Sequence, residues 1–275
     1  MMRSLWTAAS GMRAQQTNVD TISNNLANVN TTGYKTQEAS FKSLLYQNLQ
    51  STSTNNVGDL KPVAAEVGLG TRVSAITSMF TQGNLQPSDN PFAMAIEGEG
   101  FFRVRNANGE MLYTRDGNFN VSPVEGGNML VTAEGYPLID TNGNEIIMPD
   151  GIQATSITVS EEGYVGYTDK EGNPVRLTNN GNPVRISIAQ FSNPAGLEKA
   201  GGNNYRVTPA SGEPMFEDQN QGLTQSKIHQ RYIEGSNVDV ANEMVNLIVA
   251  QRAYEMNSKA IQATDDMMQQ ANNLR

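Results

Sequence analysis

The sequence predicts an α+β protein, with paired, coiled-coil-like N- and C-terminal helices and a central, mainly antiparallel β domain. Three observations predict this. Apolar residues recur every seven positions at both ends of the chain, turn dipeptides punctuate the middle, and a Ser/Thr/Asn-rich stretch follows the first helical pattern. The expected division is 1–36 and 236–275 for the helical part, 37–74 for an extended linker and 75–235 for a β-rich outer domain.

The N-terminal pattern comes first. Leu5, Met12, Val19 and Leu26 are seven apart, and Ala8, Gln15, Ile22 and Val29 interleave with them. Alternating steps of three and four give the stripe by which one helix packs along another. Thr31-Thr32-Gly33 reads as the stop, with Gly33 as the left-handed cap. Gly11 weakens the helix by about 1 kcal/mol relative to alanine.

The C-terminal pattern starts after Ser236-Asn237-Val238-Asp239, where Asn237 or Asp239 can cap a helix. Val240, Leu247, Tyr254, Ile261 and Met268 are again seven apart. Met244 begins an intermediate stripe that turns polar at Gln251, Ser258 and Asp265. Such a helix can pack on its own domain or pair with the N-terminal helix. Heptad patterns at both ends of one chain favour the pairing.

Between them, 46–70 contains Ser51-Thr52-Ser53-Thr54-Asn55-Asn56 and reads as a flexible linker, with Leu60, Pro62, Val63 and Val67 as apolar anchors. From 75 to 235 the pattern is β. Ala93-Met94-Ala95-Ile96, Ile157-Thr158-Val159 and Arg185-Ile186-Ser187-Ile188 are strand segments. Asn108-Gly109, Asp116-Gly117, Asn142-Gly143, Asp150-Gly151, Glu162-Gly163 and Asn180-Gly181 mark turns, because Asn and Gly tolerate positive φ. The spacing suggests hairpins in a sandwich or irregular barrel.

Composition excludes several function classes. The formal charge is −9 without a basic cluster, which disfavours nucleic-acid binding. No cysteine is present, so disulfides and thiolate chemistry are out. No apolar run approaches the ~20 residues that span a bilayer, and the start of the chain does not read as a cleavable secretion signal. Charged residues are only 17%, and neutral polar groups cost less to desolvate than ions when copies pack together.

Catalytic constellations are not evident. Gly98-Glu99-Gly100-Phe101 lacks the third glycine of a nucleotide loop, since Arg103 stands there, and reads as a tight turn. Asp140-Thr141-Asn142-Gly143-Asn144 opens like a calcium loop but carries Glu145 and Gly151 where Gly and Glu are needed. His229 is the single histidine and has no nucleophile elbow beside it. No cofactor, metal or small-molecule substrate is expected. A secreted β-rich enzyme or a cell-surface adhesin remains the alternative from another class. The first needs a cleft of convergent titratable groups, and the second an anchor.

Three segments carry a specific resemblance. Leu5-Trp6-Thr7-Ala8-Ala9-Ser10-Gly11-Met12, followed by the run from Thr21 to Lys35, resembles the N-terminal signature of the flagellar rod and hook proteins. Ile96-Glu97-Gly98-Glu99-Gly100-Phe101-Phe102 with Tyr113-Thr114-Arg115-Asp116-Gly117-Asn118-Phe119 is similar to their shared β motif. Ser236-Asn237-Val238-Asp239, Gln251-Arg252-Ala253-Tyr254-Glu255 and Asn257-Ser258-Lys259-Ala260 resemble their C-terminal signature. The opening Met-Arg-Ser-Leu-Trp and Ser43-Leu44-Leu45-Tyr46-Gln47 favour the distal-rod branch, with the proximal rod and the hook as alternatives.

The resemblance implies a non-enzymatic subunit of a helical homopolymer that transmits torque. It would contact other rod subunits, the hook protein and the surrounding ring proteins. Its place would be the flagellar basal body outside the inner membrane, reached through the flagellar type III apparatus without a cleaved signal and without membrane insertion. The expected assembly interface is Leu5, Met12, Val19, Ile22, Leu26 and Val29 with Val240, Met244, Leu247, Tyr254, Ile261 and Met268. Ordering a residue costs about 1–2 kcal/mol of backbone entropy, while a one-sided stripe buries only some of them. The terminal helices are therefore expected to be marginal alone and completed by neighbouring copies.

Overall fold

The computed structural model describes residues 2–50, 65–124, 127–149, 156–168, 174–179, 181–219 and 222–273. The chain forms two compact units. One comprises Met1–Ala27, Gln37–Ser78 and Asp239–Arg275, the other Asn28–Thr36 and Met79–Val238. The α+β expectation holds, with a helix at each end and antiparallel β structure between.

In the first unit, helix α1 (Met2–Ala27) and helix α2 (Val240–Asn273) lie side by side and antiparallel. Ser4 Oγ is 3.5 Å from Thr264 Oγ1. A methyl group at Gly11 would stand 2.9 Å from Asn257 Nδ2, so the glycine that costs helix propensity is the point where the side chain of Asn257 passes close to α1. Ala8, Ala14 and Ile22 on α1, and Ala250 and Thr264 on α2, are buried. Ala250, Asn257 and Thr264 are themselves seven apart, a stripe that the search for large apolar residues passes over. Asp239 caps α2, its Oδ1 accepting from Ala241 N at 2.9 Å.

Helix α1 ends at Ala27, six residues before Gly33. The expected stop at Thr31–Gly33 is therefore corrected, and Val29 falls outside the helix. The physical reason is Asn25. Its amide donates to Gln37 O at 2.8 Å and its Oδ1 accepts from Gln37 N at 2.9 Å, imitating a strand neighbour and closing the loop back on the helix.

The expected linker is also corrected where it is described. Strand β1 (Gln37–Ser43) is followed by β2 (Tyr46–Gln50), β3 (Ala65–Gly68) and β4 (Thr71–Ser78). β1 pairs with β4 from Gln37↔Ser78 to Ser43↔Thr71, with a bulge between Ser40 and Phe41. β2 pairs with β3. The two pairs build an antiparallel ribbon, so the unit boundary lies at Ser78/Met79 and not at 74/75. Gly70, at φ +119°, turns the chain against α1, where Ser10 Oγ accepts from Thr71 N at 3.2 Å. Polar composition concealed these strands because their stability comes from pairing rather than from a buried face. Ser51–Asn56, Leu60, Pro62 and Val63 lie outside the described residues.

The second unit centres on a six-stranded antiparallel sheet. Its order is Glu198–Gly201, Asn204–Arg206, Met111–Thr114, Phe101–Arg105, Ile188–Gln190 and Met215–Phe216. Phe102, Val104, Leu112, Leu130, Leu138 and Ile186 belong to the larger core, Phe101, Tyr113, Phe191 and Tyr205 to a second one. Phe102 meets Phe119 edge to face at 5.1 Å. Met94–Glu97 departs from simple alternation: Met94, Ala95 and Ile96 are all buried, so both faces of this strand are covered.

Several expected turns are present. Gly109, Gly143, Gly163 and Gly181 have positive φ. Gly98–Gly100 is the tight turn between Met94–Glu97 and Phe101–Arg105. Asp140 Oδ1 accepts from Asn144 N at 2.7 Å, as a turn requires. Asp150-Gly151 and Asn180 lie outside the described residues.

Candidate assembly surface and its polar anchor

At 100° per residue, the α2 positions facing α1 are those near Ala250, and Val245, Ile248 and Met256 point the other way. These three are exposed, as are Met244, Val249 and Met267. Trp6 on α1 is 74% exposed, and Leu45 and Tyr46 on the ribbon are 82% and 61% exposed. A chain that ends its life as a free monomer rarely leaves so many large apolar side chains in water on one unit.

The expected interface residues divide over this surface. Ile22 is buried in the single chain. Leu5, Met12, Val19, Leu26, Val29, Leu247, Ile261 and Met268 are half-buried. Val240, Met244 and Tyr254 are exposed at 39%, 52% and 43%. Of these expected positions, only Ile22 is buried in the single chain, alongside the smaller Ala8, Ala250 and Thr264. Between the helices a groove of about 420 Å³ is lined by Gln16, Val19, Gln251, Tyr254 and Glu255.

The second unit holds a feature that sequence reading missed. Lys35, Arg115 and Glu234 are each about 1% exposed. Lys35 Nζ donates to Glu234 Oε1 and to Thr81 O, both at 2.7 Å. Arg115 approaches Glu234 Oε2 at 3.4 Å and donates to Gly98 O at 2.6 Å. Gly83 N donates to Glu234 Oε1 at 2.8 Å, and Gly33 N to Glu234 O at 2.8 Å. Gly33 is left-handed here (φ +66°), and a Cβ would stand 2.6 Å from Asp116 N, which is why the position is glycine although it caps no helix.

Electrostatically the cluster holds two cations and one anion. Burial pushes the Lys35 amine and the Arg115 guanidinium below their ordinary values, against the pull of Glu234 in both cases. Burial pushes the Tyr205 phenol up. Arg115 stacks 5.2 Å over the Phe101 ring, and its Nε has no hydrogen-bond partner among the described residues.

Asn237 extends the anchor. Its Oδ1 accepts from Thr36 N at 2.7 Å and Thr36 Oγ1 at 2.8 Å, while its Nδ2 donates to Met79 O at 2.8 Å and Thr81 Oγ1 at 2.7 Å. It is therefore not the helix cap that its position suggested. Asn237→Asp keeps the acceptor but turns the donor into a second oxygen facing the Met79 carbonyl. The expected loss is about 1–2 kcal/mol, read as a lower midpoint in denaturant unfolding.

Lys35 comes from the first signature, Arg115 from the β motif, and Glu234 and Asn237 stand at the last. The only sequence signal was opposite charges lodged beside glycines and aromatics, as in Gly33-Tyr34-Lys35 and Glu234-Gly235. Nothing in one dimension says that they meet. His229 is on Lys227–Gln230 and pairs with Glu97 at 2.7 Å on the surface. That hydrogen bond holds the Glu97 carboxyl below its ordinary value.

Comparison with known proteins agrees along the whole chain. Residues 5–35 match the family described as flagella basal body rod protein, 95–167 the flagellar hook protein FlgE/F/G D1 domain, and 229–274 the flagellar basal body rod FlgEFG protein C-terminal family. The flagellar basal-body rod protein FlgG of Borreliella burgdorferi is 43% identical over 100% of this chain and 99% of its own length. That of Agrobacterium fabrum is 43% identical over 97% of both chains, and that of Bacillus subtilis 34% over 100% of both. The polar anchor is thus assembled from the three matched segments, Lys35 from the first, Arg115 from the second and Glu234 from the third, and the chain belongs to the FlgG-type flagellar basal-body rod protein family.

Proposed function

We infer that this chain, a structural subunit of the flagellar distal rod, works mechanically by packing its helical unit against further copies of itself. The observation that carries this reading is the apolar outward face of α2, with Val245, Ile248, Val249 and Met256 in water on a helix whose buried residues are only Ala250 and Thr264. Contacts repeated head to tail, with a rotation that does not close, give an open helical polymer. Torque then passes through many interfaces at once and no chemistry is needed. Other rod subunits, the hook protein and the surrounding ring proteins are the remaining partners of this reading. Its location is the cell envelope outside the inner membrane. Among the described residues no helix is long and apolar enough to cross a membrane.

A lone helix pair buries little, so dilute chain should be digested from its helices inward. Limited proteolysis is expected to leave a fragment close to 79–238, and polymerised chain to resist at both ends. Equal resistance of helices and β unit in dilute chain would count against completion by neighbours.

A further inference from the structure

We propose that residues 226–237 form a strap that closes the β unit last, and that the unit stays open in a chain that lacks them. The segment carries strands Lys227–Gln230 and Tyr232–Glu234. Among the described residues, the first is the sole ladder partner of Met94–Glu97 and the second the sole ladder partner of Leu85–Pro87. Met94, Ala95 and Ile96 are buried, so the backbone groups that face the strap have no water to turn to when it is away. Side chains fix the strap along its length. Ser226 Oγ donates to the buried Glu217 Oε1 at 2.7 Å, and Ser226 N to Glu217 Oε2 at 2.9 Å. Gln230 Oε1 accepts from Val159 N at 2.9 Å, and its Nε2 donates to Pro91 O at 2.8 Å and to Ile157 O at 2.9 Å. Glu234 and Asn237 add the bonds of the polar anchor.

The strap brings Ile228 to the larger core and no residue to the smaller one, so apolar burial can begin without it. What it completes is polar. Without it, Lys35 and Arg115 share a buried site with no anion, and Glu217 loses both Ser226 donors. Polar and charged groups cut off from water in this way cost free energy until the strap docks. Collapse is therefore favourable early, while closure waits. A chain that grows from its N-terminus presents the strap after every other described strand. A closed β unit thus marks a chain that is complete through Asn237.

Pulsed hydrogen exchange during refolding of the full-length chain tests this at Phe101–Arg105 and Met111–Thr114, strands that pair with each other and not with the strap. Their amides are expected to gain protection in the same step as those of Lys227–Gln230. Gln230→Ala, which removes three hydrogen bonds of the strap, is expected to slow that step about tenfold. Protection of Phe101–Arg105 in an earlier phase that Gln230→Ala leaves unchanged would overturn the proposal. A second readout uses a specific protease site placed between Gly222 and Leu223 of the full-length chain, where Gly222 is exposed with open space around it. After cleavage, denaturation and separation, the 1–222 piece alone is expected to exchange freely throughout the six-stranded sheet. Adding back the 223–275 piece is expected to restore native protection. A sheet already protected in the 1–222 piece would show that the strap is only an added edge. Failure of the added piece to restore protection would equally overturn its role as the closing segment.

Discussion

Glu234→Ala is expected to destabilise the β unit by about 3–5 kcal/mol, the cost of leaving buried charge without its counter-ion. Lys35 and Arg115, both almost fully buried, would then face each other with no anion between them. Gly83 N would also lose its acceptor. Against a typical domain stability of about 5–15 kcal/mol this is a large fraction. Hydrogen exchange of Met94–Glu97 and Phe101–Arg105 in the full-length chain should report it as faster opening of these strands. Glu234→Gln keeps the shape and is expected to be nearly as harmful, because the missing item is charge. Lys35→Met should cost less, since it leaves Glu234 and Arg115 as a balanced pair, although it removes the hydrogen bonds to Glu234 Oε1 and Thr81 O. If Lys35→Met proves worse than Glu234→Ala, charge balance is not what holds this site together.

Val249→Asp should leave the single chain folded and stop its polymerisation. Val249 is 61% exposed, so the change touches no core of the monomer. In a polymer that covers the outward face of α2, the carboxylate would be buried unpaired, at about 2–5 kcal/mol per contact. That corresponds to roughly a 30- to 4,000-fold rise in the concentration needed for assembly. Sedimentation and electron microscopy read the polymer, and circular dichroism reads the helices. Leu247→Asp is the useful companion. Leu247 is half-buried in the single chain, so its substitution should lower helix content as well as assembly. Normal polymer from Val249→Asp would show that the outward face is not an interface.

These two sites differ in how visible they were. Sequence periodicity located both helices and the β region between them, because a three-and-four spacing of apolar residues and a run of Asn-Gly turns are local properties. It named Leu247, Ile261 and Met268 as assembly-interface positions, and they are half-buried in the single chain. It misjudged what fills the α1–α2 contact. Ala250, Asn257 and Thr264 are too small or too polar to stand out by hydropathy, yet small size is what brings two helices together. The end of α1 and the ribbon were illegible for a related reason. Asn25 stops the helix by holding Gln37 twelve residues away, and β1 gains its partner only when β4 folds back upon it.

What the amino-acid order determined alone was therefore the kind of protein: helices at both ends, β hairpins between, and three signatures in family order. What only the tertiary structure decided was where charge and apolar surface end up. Lys35, Arg115 and Glu234 are separated by up to 199 residues, and their attraction exists only once folding excludes water from between them. The apolar face of α2 likewise became an exposed surface only when Ala250 and Thr264 were buried and Val245, Ile248 and Val249 were left in solvent. Burial is a property of the packed chain, and a one-dimensional pattern specifies it only where neighbours in sequence are also neighbours in space.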